Sequence, residues 1–116
     1  MVSDDSEVVR RHLVAMLSEL PFVDVVGEAR NVAATLETVQ RVQPDVVILD
    51  IHMPDGSGLQ ALKHIKRELP ETKVIMLTNH ANAFYRRACM NAGASFFFDK
   101  STEFERVGDV LSEMKA

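Results

Sequence analysis

Asp45-Val46-Val47-Ile48-Leu49-Asp50 is the stretch that decides the fold. After Asp45 it is uniformly apolar with no polar alternation, so residues 45–49 read as a strand buried on both faces, as in the interior of a parallel sheet. Ile51-His52-Met53-Pro54-Asp55-Gly56-Ser57-Gly58 follows as turn chemistry. A helix over 58–69 comes next, with Leu59, Leu62, Ile65 and Leu69 on one stripe and Pro70 as its stop.

Outward from this unit the alternation repeats. Phe22-Val23-Asp24-Val25-Val26 predicts a strand over 22–26, Lys73-Val74-Ile75-Met76-Leu77 a strand over 73–77, and Ser95-Phe96-Phe97-Phe98 one over 95–98, just after Gly93 as a helix stop. Helices are expected over 6–19, 32–42, 82–92 and 102–115, the last capped by Ser101 or Thr102 with Glu103 and Glu105 in its first turn. The first strand is short, since only Met1-Val2-Ser3 precede Asp4-Asp5. Strands alternating with helices imply an α/β fold, a parallel sheet with helices on both faces. Its working site lies at the carboxyl ends of the strands.

Composition narrows the function. The 116 residues fit one domain, 1–116, and 47% apolar content is enough for a core. A net charge of −4 with no basic tract argues against direct nucleic-acid binding. No apolar run approaches a membrane span, and the acidic opening is unlike a signal peptide. The lone Cys89 forbids an internal disulfide and suits a cytoplasmic location.

At the predicted sheet edge collect Asp4, Asp5, Asp50, Thr78 and Lys100. Three carboxylates about 5 Å apart repel by roughly 3 kcal/mol per pair at an effective dielectric constant of 20, so they gain protons or hold a cation. Oxygen-only ligands suit Mg²⁺ better than Zn²⁺. With Lys100 and a cation neutralising charge, one carboxylate can attack a phosphoryl donor. Each residue alone has a plainer reading: Asp4-Asp5-Ser6 as a helix cap, Asp50 as a turn residue, Asp55-Gly56 and Gly58 as turn chemistry, Cys89 as packing.

These residues together, with Met53-Pro54-Asp55-Gly56-Ser57-Gly58, Leu77-Thr78, Gly93-Ala94 and Phe97, resemble a response-regulator receiver domain over the whole chain. Val25-Val26-Gly27-Glu28-Ala29 resembles receivers that precede helix-turn-helix modules. The resemblance implies a flavodoxin-like doubly wound sheet of order 2-1-3-4-5 with its first, central strand shortened. It implies Asp50 as phosphoacceptor, with Mg²⁺ held by Asp5, Asp50, Asp4 (directly or through water) and the His52 carbonyl. Lys100 would pair with Asp50 or the phosphoryl group, and Thr78 would move to bond that group. Phe97 would then turn inward and reshape the face of the fourth helix, fifth strand and fifth helix. The implied partner is a histidine kinase or phosphotransfer protein.

His52 and His80 each follow a site residue by two positions, where the family tunes phosphoryl lifetime. Two imidazoles there would admit, orient or block water and make dephosphorylation pH-dependent, unless both are simply surface histidines. Several departures from the family pattern carry expectations of their own. Either the true start lies upstream of Met1, or a stunted central strand leaves neighbours unpaired and weakens the sheet, predicting lowered stability, or a homodimer or exchange of segments between chains. Asn79 stands where a small residue usually guards access. Ser101 replaces the proline that often follows the lysine, so a trans Lys100–Ser101 bond is expected. Phe97 has no hydroxyl. Phe84 and Tyr85 are plausible interface anchors. Two other readings compete: a receiver-like interaction module that no longer switches, and an aspartyl phosphohydrolase, whose acid/base Asp position is here taken by His52. The chain reads equally as a stand-alone regulator or as the N-terminal part of a transcription factor.

Overall fold

The computed structural model describes residues 1–115. The elements run β1 (Val2–Ser3), α1 (Glu7–Ser18), β2 (Glu28–Ala29), α2 (Val32–Val42), β3 (Val46–Leu49), β4 (His52–Met53), β5 (Gly56–Ser57), α3 (Gly58–Glu68), β6 (Lys73–Thr78), α4 (Ala83–Asn91), β7 (Phe96–Asp99), α5 (Lys100–Glu103) and α6 (Arg106–Lys115). Five parallel strands form one sheet in the order β2-β1-β3-β6-β7, the expected 2-1-3-4-5 once the small β4-β5 ribbon is set aside.

The sheet is buried on both faces because β3, β6 and β7 are apolar through their middles, with polar residues only at the ends of β6 and β7. Val47, Leu49, Val74, Met76 and Phe97 point to the face covered by α2, α3 and α4, where Val39, Leu62, Ile65 and Cys89 meet them. Ile48, Ile75, Leu77 and Phe98 point to the other face, against Leu13 and Leu17 of α1 and Val107, Val110 and Leu111 of α6. Local signals set the helix starts: Ser6, Asn31 and Asn82 cap α1, α2 and α4, and Ser57 with Gln60 forms a capping box on α3. Gly93, at φ 105°, ends the α4 segment as expected. The Lys100–Ser101 bond is trans.

Two expectations are corrected. Residues 22–26 form no strand, and β2 is only Glu28–Ala29. A strand needs a neighbour, and β1 offers rungs only from Met1 to Asp4: Val2 N–H donates to Gly27 O (3.1 Å), Asp4 N–H to Ala29 O (3.0 Å) and Ile48 N–H to Met1 O (2.9 Å). Below that level Val23, Val25 and Val46 border a cavity of about 590 Å³ instead of a sixth ladder residue. The expected helix over 102–115 is two helices broken at Phe104–Glu105, and its cap is Asp99, not Ser101 or Thr102. Asp99 accepts from Ser101 N–H (2.8 Å) and Ser101 Oγ–H (2.6 Å), while Glu103 accepts from Asp99 N–H (3.1 Å). This reciprocal cap starts the turn at Lys100, and Phe104 then leaves the helix line to stack on His12 at 4.4 Å. No helix of the described residues is long and apolar enough to cross a membrane.

Candidate functional site

Parallel pairing brings the strand ends together. Asp4 follows β1, and Asp50 follows β3 with its N–H donating to Ser3 O at 3.0 Å. Thr78 ends β6 opposite Asp99 of β7, and Lys100 comes next along the chain. Carboxylate oxygens of Asp4, Asp5 and Asp50 lie within 4.8 Å of one another. Asp4 is 2% and Asp50 5% exposed, while Asp5 faces solvent. The Lys100 ammonium donates to Asp4 Oδ2 at 2.5 Å and to Asp50 Oδ2 at 2.8 Å. Asp50 Oδ1 accepts from Ile51 N–H (2.7 Å), and Asp4 Oδ1 from Ser6 N–H (2.9 Å). Asp4 therefore sits in the loop that caps α1 and in the acidic cluster at once.

One ammonium serves two buried carboxylates, with a third at the rim. Burial pushes the Asp4 carboxyl above its ordinary range, against the opposing pull of Lys100 and Ser6. Burial alone would lower the Lys100 ammonium, but its bonds to Asp4 and Asp50 outweigh this and hold it above the usual lysine value. The cluster thus keeps negative charge that Lys100 does not cancel. Its donors are all oxygens, and one carboxylate is open to solvent, which fits a hard divalent cation such as Mg²⁺.

Around this centre, Thr78 is fully buried and its hydroxyl oxygen accepts from His80 N–H at 3.0 Å. The His52 and His80 rings meet at 3.8 Å between centroids, and His52 Nε2 lies 3.2 Å from the Tyr85 hydroxyl. The two histidines thus form one aromatic bridge between the β3 and β6 exit loops. Phe97 is 3% exposed, lying beneath the Arg86 guanidinium. Asn79 is exposed, and the His52 main chain pairs with Ser57 in the β4-β5 ribbon.

Four residues carry structural roles that sequence reasoning missed or underrated. A Cβ at Gly58 would collide with the Asp50 carbonyl, so this glycine permits the α3 start to pass against the acidic residue's own backbone. Asp55 accepts from Val32 N–H (2.7 Å) and Ala33 N–H (3.0 Å), tying the loop after β3 to the start of α2. Those two donors hold its carboxyl below the ordinary range. Tyr85 is half-buried and bonded to His52 rather than free, whereas Phe84 is 74% exposed. Arg86 donates to Phe97 O at 3.1 Å. The Asp55-Gly56-Ser57-Gly58 stretch and the basic pair Arg86-Arg87 were visible in the sequence, but their partners were not.

A doubly wound parallel sheet with three acids and a lysine at its carboxyl edge defines a class of small α/β signalling domain, and the comparisons agree. The chain belongs to the response regulator receiver domain family, whose model matches residues 1–112. It is 38% identical over 113 residues to the DNA-binding transcriptional activator DevR/DosR of Mycobacterium tuberculosis, covering 97% of this chain and 52% of that protein. The chain spans about half the length of several curated relatives it matches. Among solved structures, the response regulator domain of Thermotoga maritima CheB superposes with a TM-score of 0.84 at 32% identity, over 97% of this chain and 89% of that one. The isolated receiver domain of RcsB from Salmonella enterica, solved with the phosphomimetic BeF3⁻, gives 0.91 at 25% identity, over 98% and 85%.

Proposed function

We propose that this receiver works as a phosphorylation-dependent switch in two-component signalling, with Asp50 accepting a phosphoryl group from a histidine kinase or phosphotransfer protein in the cytoplasm. The observation that carries this reading is the buried Asp50 carboxylate, 2.8 Å from Lys100 and clustered with Asp4 and Asp5. Asp5, Asp50, Asp4 and the His52 carbonyl are the residues that would hold Mg²⁺. Bound there, Mg²⁺ supplies charge neutralisation for the attacking carboxylate and for the phosphoryl oxygens.

The chain's own residues do the rest. Asp50 attacks through a carboxylate oxygen, forming an acyl phosphate as the bond from phosphorus to the donor breaks. Lys100 exchanges its bond to Asp50 for one to the incoming phosphoryl oxygens while keeping Asp4. Thr78 can give up His80 N–H and turn its hydroxyl to the phosphoryl group. Phe97 lies opposite Met76, two residues before Thr78 in the β6–β7 register, and would carry that change to the surface of α4, β7, α5 and α6. The domain acts on no external substrate: the position two residues after Asp50 is His52, not the acid/base carboxylate of a phosphohydrolase.

Intact mass after incubation with acetyl phosphate and Mg²⁺ tests this. One phosphoryl addition is expected in the parent, none in Asp50→Asn, and none after prior chelation. A non-switching interaction module is the second reading, drawn from the two-residue β1 and the cavity below it. An unlabelled parent, under conditions that label a reference receiver, would favour it.

A further inference from the structure

We propose that Arg86 is a positioning residue: it holds the Phe97 ring inward by covering the ring's face and bonding the same residue's carbonyl. The inference deepens the switch reading given above and rests on it for its functional consequence. Phe97 lacks a hydroxyl that could anchor either ring position. Its ring lies 3% exposed in the core that also holds Met76, Cys89 and Ala94. The Arg86 guanidinium carbon stands 4.9 Å from the ring centroid, and Nη1 donates to Phe97 O at 3.1 Å. Arg86 is itself exposed, so its guanidinium is the layer between ring and water.

Among the described residues two further rings carry a cation, Phe98 under Arg106 and Phe22 under Lys115. Arg86 differs in gripping the ring and the backbone of one residue. It is also fixed at its own end, because its N–H donates to Asn82 O at 2.9 Å in the first turn of α4. For the ring to swing out, the guanidinium must leave first. α4 and the ring position are therefore coupled through one side chain. A planar guanidinium can stack and donate together, while a lysine ammonium acts only as a point charge. The next residue, Arg87, lines a groove with Phe84 and Asn91 instead.

The test incorporates 4-fluorophenylalanine and identifies the Phe97 fluorine signal by its loss in Phe97→Leu. A soluble gadolinium chelate then reads ring exposure in the parent, Arg86→Met, Arg86→Lys and Arg87→Met. We expect paramagnetic broadening of that signal to rise about two- to five-fold in Arg86→Met, less in Arg86→Lys, and not at all in Arg87→Met. Unchanged broadening in Arg86→Met overturns the proposal, as does a lowered melting temperature with the Phe97 signal unmoved. Should Arg86→Met not fold, Arg86→Lys carries the test, and broadening equal to the parent overturns it. This readout needs no phosphoryl donor, so it stands apart from the switch reading. A second arm measures acetyl phosphate labelling, where Arg86→Met should be slower by about the same factor. Equal rates with a newly exposed ring confine Arg86 to packing and reject its role in the switch.

Discussion

The Lys100 ammonium bridges Asp50 and Asp4, 2.8 Å from one carboxylate and 2.5 Å from the other, with 8% of its side chain exposed. Removing it strands two buried acids. Lys100→Met should cost about 3 kcal/mol of stability by urea denaturation without divalent metal, and Mg²⁺ should restore part of that. Asp4→Asn should do the reverse. The folded Asp4 carboxyl is raised, so its contribution to stability is present at low pH and lost as pH rises through its folded value. Metal-free parent should therefore lose stability, relative to Asp4→Asn, on going from pH 4 to neutrality. Parallel curves for the two proteins would contradict this.

Gly58→Ala should disturb the site from behind. Its new Cβ meets the Asp50 carbonyl and Ile51 Cα, both main chain, so the backbone has to move. A loss of about 2 kcal/mol or more is expected, with slower labelling of Asp50. Retention of both parental stability and rate would show that the α3 start has slack.

Asp55 pins the loop after β3 to α2 through two backbone donors that lower its pKa. A depressed carboxyl contributes stability above its unfolded value that is lost as pH falls through the folded one. Asp55→Asn should lower the melting temperature at neutral pH, and the difference from the parent should shrink below about pH 4. A constant difference across that range would count against the cap.

The slot beneath β1 should accept more strand. Four residues of alternating apolar character added ahead of Met1 would reach Val25 and Val46 and convert residues 22–26 into ladder partners. Burying two side chains there stabilises by up to about 3 kcal/mol before ordering costs, so a net gain of about 1 kcal/mol is expected in thermal melts. No gain, with amides of 22–26 still exchanging freely, would refute the explanation offered for the missing strand.

The His52–His80 contact at 3.8 Å closes one side of the site, and Tyr85 holds it. If that bridge controls water, replacing both histidines with alanine should change the dephosphorylation rate about three-fold or more. Tyr85→Phe should move the rate in the same direction by less. A rate indifferent to the double replacement would leave the histidines as surface residues.

Much of this was legible in the chain because the decisive signals are local. Val46–Leu49 and the apolar middles of Lys73–Thr78 and Phe96–Asp99 form runs packed on both faces, and α2 spans the periodic segment 32–42 between Asn31 and Pro44. The residues of the acidic cluster could be read because parallel strands deliver their carboxyl ends to one edge. What escaped depends on partners distant in sequence. Residues 22–26 have strand composition, but pairing is decided by how far β1 reaches. The Asp99 cap prevailed over Ser101 and Thr102 because Glu103 folds back to its N–H, a competition that composition does not rank. Arg86 and Asp55 act across 11 and 23 residues, and nothing at their own positions announces it.

Borohydride reduction of the protein treated with acetyl phosphate and Mg²⁺ tests the central claim most directly, because it converts an aspartyl phosphate into homoserine that peptide mass mapping can place. The account predicts homoserine at position 50 alone, dependent on Mg²⁺ and absent without the phosphodonor. Homoserine at Asp4 or Asp5, or none while a reference receiver is converted in the same tube, would contradict it.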